Sequence, residues 1–346
     1  MHYRRVRIVS IGYELPSQVV SSRELEERLA PLYQSLHLQT GQVETLTGIR
    51  ERRYWAKGQT MADGATRAGR KALDASGVPS EAIGMLVYGG VCRDNLEPAT
   101  ACAVADGLKV GGGTHIFDVS NACLGILNGI VHVANAIELG HVRAGLVVSC
   151  ESARQIVDLS IERMLAARDM EDFRLSLATL TGGSGAIGVV VADESLAPRG
   201  HRLIGGAIRS DTRHHKLCRW GPDTGIPATA PMQMVTDATG VLEYGVALGA
   251  ETWHAFLETL GWTVEQVDRT ICHQVGAPHR DAVLKALGIA PERDFQTYEY
   301  LGNIGTVSLP ITAAMAQARG ILERGHRVAL CGMGSGLNCV MLGVEW

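Results

Sequence analysis

Several features are missing from this chain of 346 residues, and each absence removes a class of function. No two of its eight cysteines (92, 102, 123, 150, 218, 272, 331 and 339) have C-x-x-C spacing, which argues against zinc ribbons and thioredoxin-type sites. No apolar run approaches the ~20 residues that a membrane span requires. The opening MHYRRVRIVSIGYELP is basic, but Gly12 and Pro16 cut its apolar run short, so it makes a poor signal peptide. There is no strong excess of either charge: the net value of −4 gives no reason to expect nucleic acid or an anionic membrane as the main partner. A soluble, cytoplasmic protein with reduced cysteines and no metal is the expectation.

What is present is apolar and glycine-rich: 46% hydrophobic residues and 41 glycines, as in a packed α/β protein with tight turns. The length suggests two domains, or one fused core of two similar halves. Short apolar runs read as buried strands: RRVRIVSIGY, IGMLVYGGV, THIFDVS, AGLVVSC and GAIGVVVAD, then HRLIGGAIRS, RTICHQV, HRVALCGMG and NCVMLGVEW. Between them MADGATRAGRKALDAS, ACLGILNGIVHVANAIEL, TGVLEYGVALGAETWHAFLETL, PHRDAVLKALGI and LPITAAMAQARGILERG read as helices. The halves echo each other, HVRAGLVVSCES against GHRVALCGMGSG, which suggests a duplication with a boundary near Pro198 to Gly200, dividing the chain into 1–198 and 199–346.

Two weaker signals do not make sites. GSGAIG spells G-x-G-x-x-G, but VVVAD follows, a strand where a dinucleotide fold needs a helix. His214 and His215 are adjacent, so their side chains point apart, among basic neighbours. The stretch WGPDTGIPATAPMQ, 220–233, holds three prolines and reads as an irregular loop, either a lid or a tolerated insertion.

Three segments place a reactive side chain at a strand end or in a glycine-bounded turn: Cys123 in VSNACLG, His273 in ICHQVGAPH and Asn303 in LGNIGTVSLP. Alone, Cys123 reads as a buried thiol or as a nucleophile at a helix start, and His273 as a core histidine. Together they form a set that can activate a thiol, and strand ends are where α/β folds assemble sites. The set favours the nucleophile.

With TGIRERR (47–53) and GMGSGLN (332–338), these segments resemble the thiolase superfamily and, within it, the ketoacyl synthase III branch. The resemblance spans nearly the whole chain. It implies a thiolase-like α/β fold, with two duplicated βαβαβ-type halves in a five-layered αβαβα sandwich. It further implies a cytoplasmic homodimer of acyltransferases acting in fatty-acid, lipid or hydrocarbon synthesis, with no cofactor, since acyl-CoA is a substrate. Cys123 would be acylated, with its helix and His273 favouring the thiolate. The N–H groups of Cys123 and Ser335 would hold the oxyanion, and His273 and Asn303 would stabilise an enolate. Arg50, in TGIRERR, would meet the nucleotide phosphates, unless it is an exposed structural arginine.

Glu97, in RDNLEPAT, refines the resemblance towards the OleA-type enzymes, which join two fatty acyl-CoA thioesters head to head. A second substrate without a carboxylate to lose needs a base for its α-proton, and a glutamate serves. In that branch the glutamate comes across the dimer interface. The alternatives are that Glu97 is a loop acid before Pro98, and that the chain condenses an acyl starter with a malonyl acyl carrier protein. The product could pass to downstream lipid-pathway enzymes. A plain thioesterase, or a non-catalytic partner subunit, is the remaining reading. The second of these would have lost the cysteine, histidine or asparagine, and all three are present.

Overall fold

The computed structural model describes residues 1–222 and 232–346. Its strands, in chain order, are β1 (Val6–Glu14), β2 (Gln18–Ser21), β3 (Glu51–Tyr54), β4 (Ile83–Gly89), β5 (His115–Val119), β6 (Ala144–Glu151) and β7 (Gly185–Asp193). They continue with β8 (His201–Ser210), β9 (Cys218–Pro222), β10 (Met232–Thr236), β11 (Arg269–Cys272), β12 (Arg327–Gly334) and β13 (Asn338–Glu345). Nine form one mixed sheet in the order β11-β12-β13-β8-β1-β7-β6-β4-β5, and they are the nine apolar runs read from the sequence.

The order repeats itself outward from the centre. From β1 the first half runs β7, β6, β4, β5, and from β8 the second runs β13, β12, β11. The place matching β5 is taken by a single parallel bridge, Thr270 to Asp294. The halves meet where β1 pairs antiparallel with β8, through Arg7–Arg202 and Ile8–His201.

Alternation along each strand then builds layers. Leu86 and Tyr88 of β4 face the helices Met61–Ser76 and Thr100–Leu108, in a core with Ala68, Val104 and Leu108. Met85 and Val87 face the other way, onto the helix Gly125–Glu138, which shares a core with Ser308–Ala318 and with Leu330 and Leu342 of the second half. Beyond that half, Phe256 and Leu284 of the helices Ala238–Leu260 and Ala277–Leu287 cover Cys331 and Met341. The result is the helix-sheet-helix-sheet-helix sandwich. The G-x-G-x-x-G stretch lies at the start of β7, where a Cβ on Gly188 would come within 2.6 Å of the Gly69 Cα. Its glycine serves helix-to-sheet packing.

Some elements differ from the sequence reading. The helix expected across 309–325 stops at Ala318. The flanks of 220–233 are not irregular: β9 and β10 pair antiparallel, and residues 223–231 lie outside the described residues. A fourth apolar cluster escaped the sequence reading. The helices Ser22–Arg28, Ala30–Ser35, Arg154–Ala167 and Met170–Leu180 pack Leu25, Leu29, Tyr33, Val157, Phe173 and Leu180 together, with Trp220 and Met234 of the β9/β10 ribbon against them. Among the described residues no helix is long and apolar enough to cross a membrane.

Candidate active site

Ala122 adopts a left-handed conformation (φ 45°), unusual for a residue with a Cβ, and the resulting turn presents Cys123 two positions before the helix Gly125–Glu138. The turn closes through Leu124 N–H donating to Asn121 O at 2.9 Å, and Ile126 N–H donates to Thr306 Oγ1 at 2.8 Å. The β12–β13 hairpin turn, 335–337, lies over it: a Cβ on Gly334 would stand 3.4 Å from the backbone nitrogen of Cys123. Asn338 ties the two turns together, its Nδ2 donating to Asn121 Oδ1 at 3.0 Å and to Ser335 O at 3.2 Å.

His273 follows the end of β11 and extends its ladder by one bond, N–H to Cys331 O at 2.9 Å. The next residue, Gln274, is fully buried and fixes the connection: its Oε1 accepts from Thr297 N at 2.7 Å and Tyr298 N at 3.0 Å, and its Nε2 donates to Phe295 O at 2.7 Å. Asn303 is held by its backbone, N–H to Thr181 O at 2.9 Å and O from Gly183 N–H at 2.9 Å. Its Oδ1 accepts from Gly305 N–H at 3.1 Å, and among the described residues the Nδ2 donor has no partner, which leaves it for a ligand.

Cys123, His273, Asn303 and Ser335 line one cavity of about 110 Å³, with apolar residues such as Val241, Leu248, Met333 and Leu337 making up much of the remaining wall. A second cavity of about 290 Å³ meets the first at Cys123, Asn303 and Ser335 and runs towards Glu151, Ile156 and Trp220. Four of the residues expected at the site thus share one wall.

Two do not. Glu97 is exposed on the segment between β4 and the helix Thr100–Leu108 and lines neither cavity of its own chain. That segment is pinned at both ends. The Asp94 carboxylate accepts from Met61 N at 2.7 Å and Ala62 N at 2.8 Å, and Asp118 accepts from Thr100 N and Ala101 N at 2.9 Å. Between the pins Glu97 and Leu96, 89% exposed, face outward. Arg50 is also exposed and pairs with Glu299 at 3.7 Å, away from both cavities.

The electrostatics correct one expectation. Burial pushes the Cys123 thiol up to about 12, with further contributions from Cys218 and Glu151, so the resting group is a thiol and not a thiolate. The sulfur sits ahead of the helix, where desolvation outweighs what the helix end offers. Burial also pulls His273 down to about 3, with His279 adding to the shift, so the imidazole is neutral and gives no cationic support to the sulfur. Attack by the sulfur must therefore be coupled to loss of its proton.

The sequence reading missed His279. It lines the first cavity, its Nδ1 has no partner among the described residues, and burial pulls its pKa down to about 4. Glu151, buried and accepting from Val91 N at 2.9 Å and Cys92 N at 3.2 Å, was missed as well. His279 is the second histidine of HQVGAPH, so its spacing was visible; Glu151 carried no signal beyond its position at the end of β6.

The raised thiol pKa has a direct consequence. Only the thiolate reacts with iodoacetamide, so the Cys123 alkylation rate should climb about tenfold per pH unit from pH 7 to 10 without a plateau. Peptide mapping of timed samples checks this; a plateau near pH 7 would mean a resting thiolate.

The comparisons with known proteins agree with this geometry. Residues 117–212 match the family described as 3-oxoacyl-[acyl-carrier-protein (ACP)] synthase III, and residues 257–346 match its C-terminal part. The chain is 54% identical over 349 aligned residues to an acyl-CoA:acyl-CoA alkyltransferase of Shewanella oneidensis, covering 100% of both. It is 38% identical, again over 100% of both, to one of Xanthomonas campestris. A solved structure of Xanthomonas campestris OleA superposes with a TM-score of 0.94 at 38% identity, covering 100% of this chain and 98% of that one. Solved variants of that protein include substitutions of one cysteine, one glutamate and one histidine, and one form holds lauric acid and lauroyl-CoA.

Proposed function

The chain belongs to the OleA-type acyl-CoA:acyl-CoA alkyltransferases, within the ketoacyl synthase III branch of the thiolase superfamily, and on that basis we propose that it joins two fatty acyl-CoA thioesters without decarboxylation. The observation that carries the reading is the shared wall: Cys123, His273 and Asn303 line one largely apolar cavity, and Cys123 and Asn303 also open onto a second.

In the first half-reaction the Cys123 sulfur attacks the thioester carbonyl, loses its proton, and CoA leaves as the thiol. The N–H groups of Cys123 and Ser335 receive the oxyanion; the approach of Gly334 to the Cys123 nitrogen supports this pairing. In the second, Glu97 of a second copy takes the α-proton of another acyl-CoA. The neutral His273 and the free Nδ2 of Asn303 donate to the enolate oxygen. The α-carbon attacks the acyl-cysteine carbonyl, the carbon–sulfur bond breaks, and the sulfur regains a proton. A β-ketoacyl thioester results, which hydrolysis converts to the β-keto acid.

Two facts support Glu97 as the base. It precedes Cys123 by 26 positions (123 − 97), the interval that also separates the substituted glutamate and cysteine of the Xanthomonas campestris structures. It also faces outward on a pinned segment, as a residue supplied to a neighbour would. The homodimer this requires fits the open sheet edge at β5, where Ile116, Phe117 and Val119 are only half-buried. Arg50 is assigned to the CoA phosphates in the same reading.

Lauroyl-CoA as the sole substrate tests the whole. Mass spectrometry should find a β-keto product with two acyl chains. Product only on addition of a malonyl carrier protein would select the ketoacyl synthase III alternative, and free laurate alone would select a thioesterase.

A further inference from the structure

A wholly buried arginine stands behind the residues that carry Asn303, and no step above uses it. Arg52 lies on β3 with 0% of its surface exposed. Its Nη2 donates to Leu180 O at 3.1 Å and its Nη1 to Val20 O at 3.4 Å, while Nε has no partner among the described residues. Among the described residues no carboxylate is within ion-pair distance of it, and burial pulls its pKa below the ordinary guanidinium value. A cation hydrogen-bonded only to carbonyl oxygens, with Glu51 and Glu24 acting on it from beyond ion-pair distance, is expensive to bury, and an apolar side chain of that size would be easier to hold.

Its surroundings supply the reason. The Leu180 carbonyl that Arg52 holds precedes Thr181, whose own carbonyl accepts from Asn303 N–H at 2.9 Å. Gly183 N–H donates back to Asn303 O at 2.9 Å, so 181–183 and 303 form a single bridged strap. The arginine stem fills the space behind it: a Cβ on Gly183 would be 3.3 Å from Arg52 Cβ, and one on Gly302 would be 3.2 Å away. Gly302, at φ 68°, also brings its backbone against the Thr181 carbonyl, where a Cβ would stand only 2.4 Å off. The Cys123 turn is held by other groups, Thr306, Asn338 and the Gly334 backbone.

We infer that Arg52 is a positioning residue for the condensing half-reaction, fixing the strap and thereby the direction of the Asn303 amide. This rests on reading Asn303 as a donor to the enolate oxygen. Because acylation needs the Cys123 turn and not the strap, loss of Arg52 should separate the two half-reactions.

The test uses Arg52→Met, which keeps the stem and removes the donors, with Arg52→Lys and Asn303→Ala alongside, all on lauroyl-CoA. Intact-protein mass in rapid-quench samples reads acylation of Cys123, lipid mass spectrometry reads the β-keto product, and a thermal melt reads folding. Arg52→Met should acylate within about threefold of the unmutated rate yet condense about 10²-fold more slowly, the usual effect of a displacement near 1 Å. Arg52→Lys should recover part of the loss. An equal fall in both steps, or unmutated condensation, overturns the inference. If Arg52→Met does not fold, Arg52→Lys decides alone, a fall confined to condensation supporting the role and any other result refuting it. Asn303→Ala that condenses normally would instead refute the reading of Asn303, whatever Arg52→Met shows.

Discussion

Glu97→Gln should leave a protein that takes an acyl group from CoA onto Cys123 and then stops. Acylation needs an oxyanion site and a leaving thiol, and no carboxylate outside the cavity takes part in it. Condensation needs a base, because the α-C–H of a thioester is a very weak acid. His273 and Asn303 lower that barrier by donating to the enolate oxygen, and a group donating a hydrogen bond there is in no position to take the proton. Removing the base should slow condensation by about 10² to 10⁴. Since Glu97 lines neither cavity of its own chain, the effect should also cross between subunits. Glu97→Gln and Cys123→Ala chains, unfolded and refolded together in equal amounts, should regain up to about a quarter of the unmutated rate, because each mixed dimer has one complete site. If no activity returns on mixing, Glu97 does not act across the interface, and if Glu97→Gln condenses at the unmutated rate, it is only a loop acid.

Cys123→Ala should abolish acyl-enzyme formation and lower turnover by at least about 10⁴, as expected when a nucleophile with no substitute is removed. The competitor for the role is Cys218, which lines both cavities and is the largest influence on the Cys123 thiol after burial. It sits at the start of β9, without the turn and the paired N–H groups that Cys123 has. Peptide mapping after brief exposure to lauroyl-CoA should therefore find the acyl group on Cys123, and Cys218→Ala should acylate normally. A modified Cys218 would reverse the assignment.

The sheet was legible in the sequence because inner strands such as β6 and β7 are buried on both faces, and their runs AGLVVSC and GAIGVVVAD carry that burial in their composition. Cys123, His273 and Asn303 were legible because each lies in a short segment with a fixed place beside a strand end. The helices packed around Leu29 and Phe173 were not: Ser22–Arg28 and Ala30–Ser35 are too short for a helical period to declare itself, and their apolar faces meet one another only after folding. The protonation of Cys123 was hidden for the same reason. The thiol is buried in a cavity that Ala178, Cys218 and Met333 bring together from distant parts of the chain, whereas the helix that follows it is local and visible. Arg52 stood in plain view in TGIRERR, but nothing in the sequence marks it as the buried member beside the exposed Arg50.

The meeting of the two cavities at one sulfur bears on what mixture the protein would release. Away from the shared wall their linings differ, Val241 and Leu248 on one side and Ile156 and Trp220 on the other. If each admits one chain, selection at one is independent of selection at the other. A pool of several thioesters then yields every pairwise product, with abundances given by multiplying two separate preference lists. Narrowing one cavity should rewrite one of those two lists and leave the other. An Ile156→Trp variant fed a mixture of chain lengths would shift the distribution along one axis and leave the other as it was.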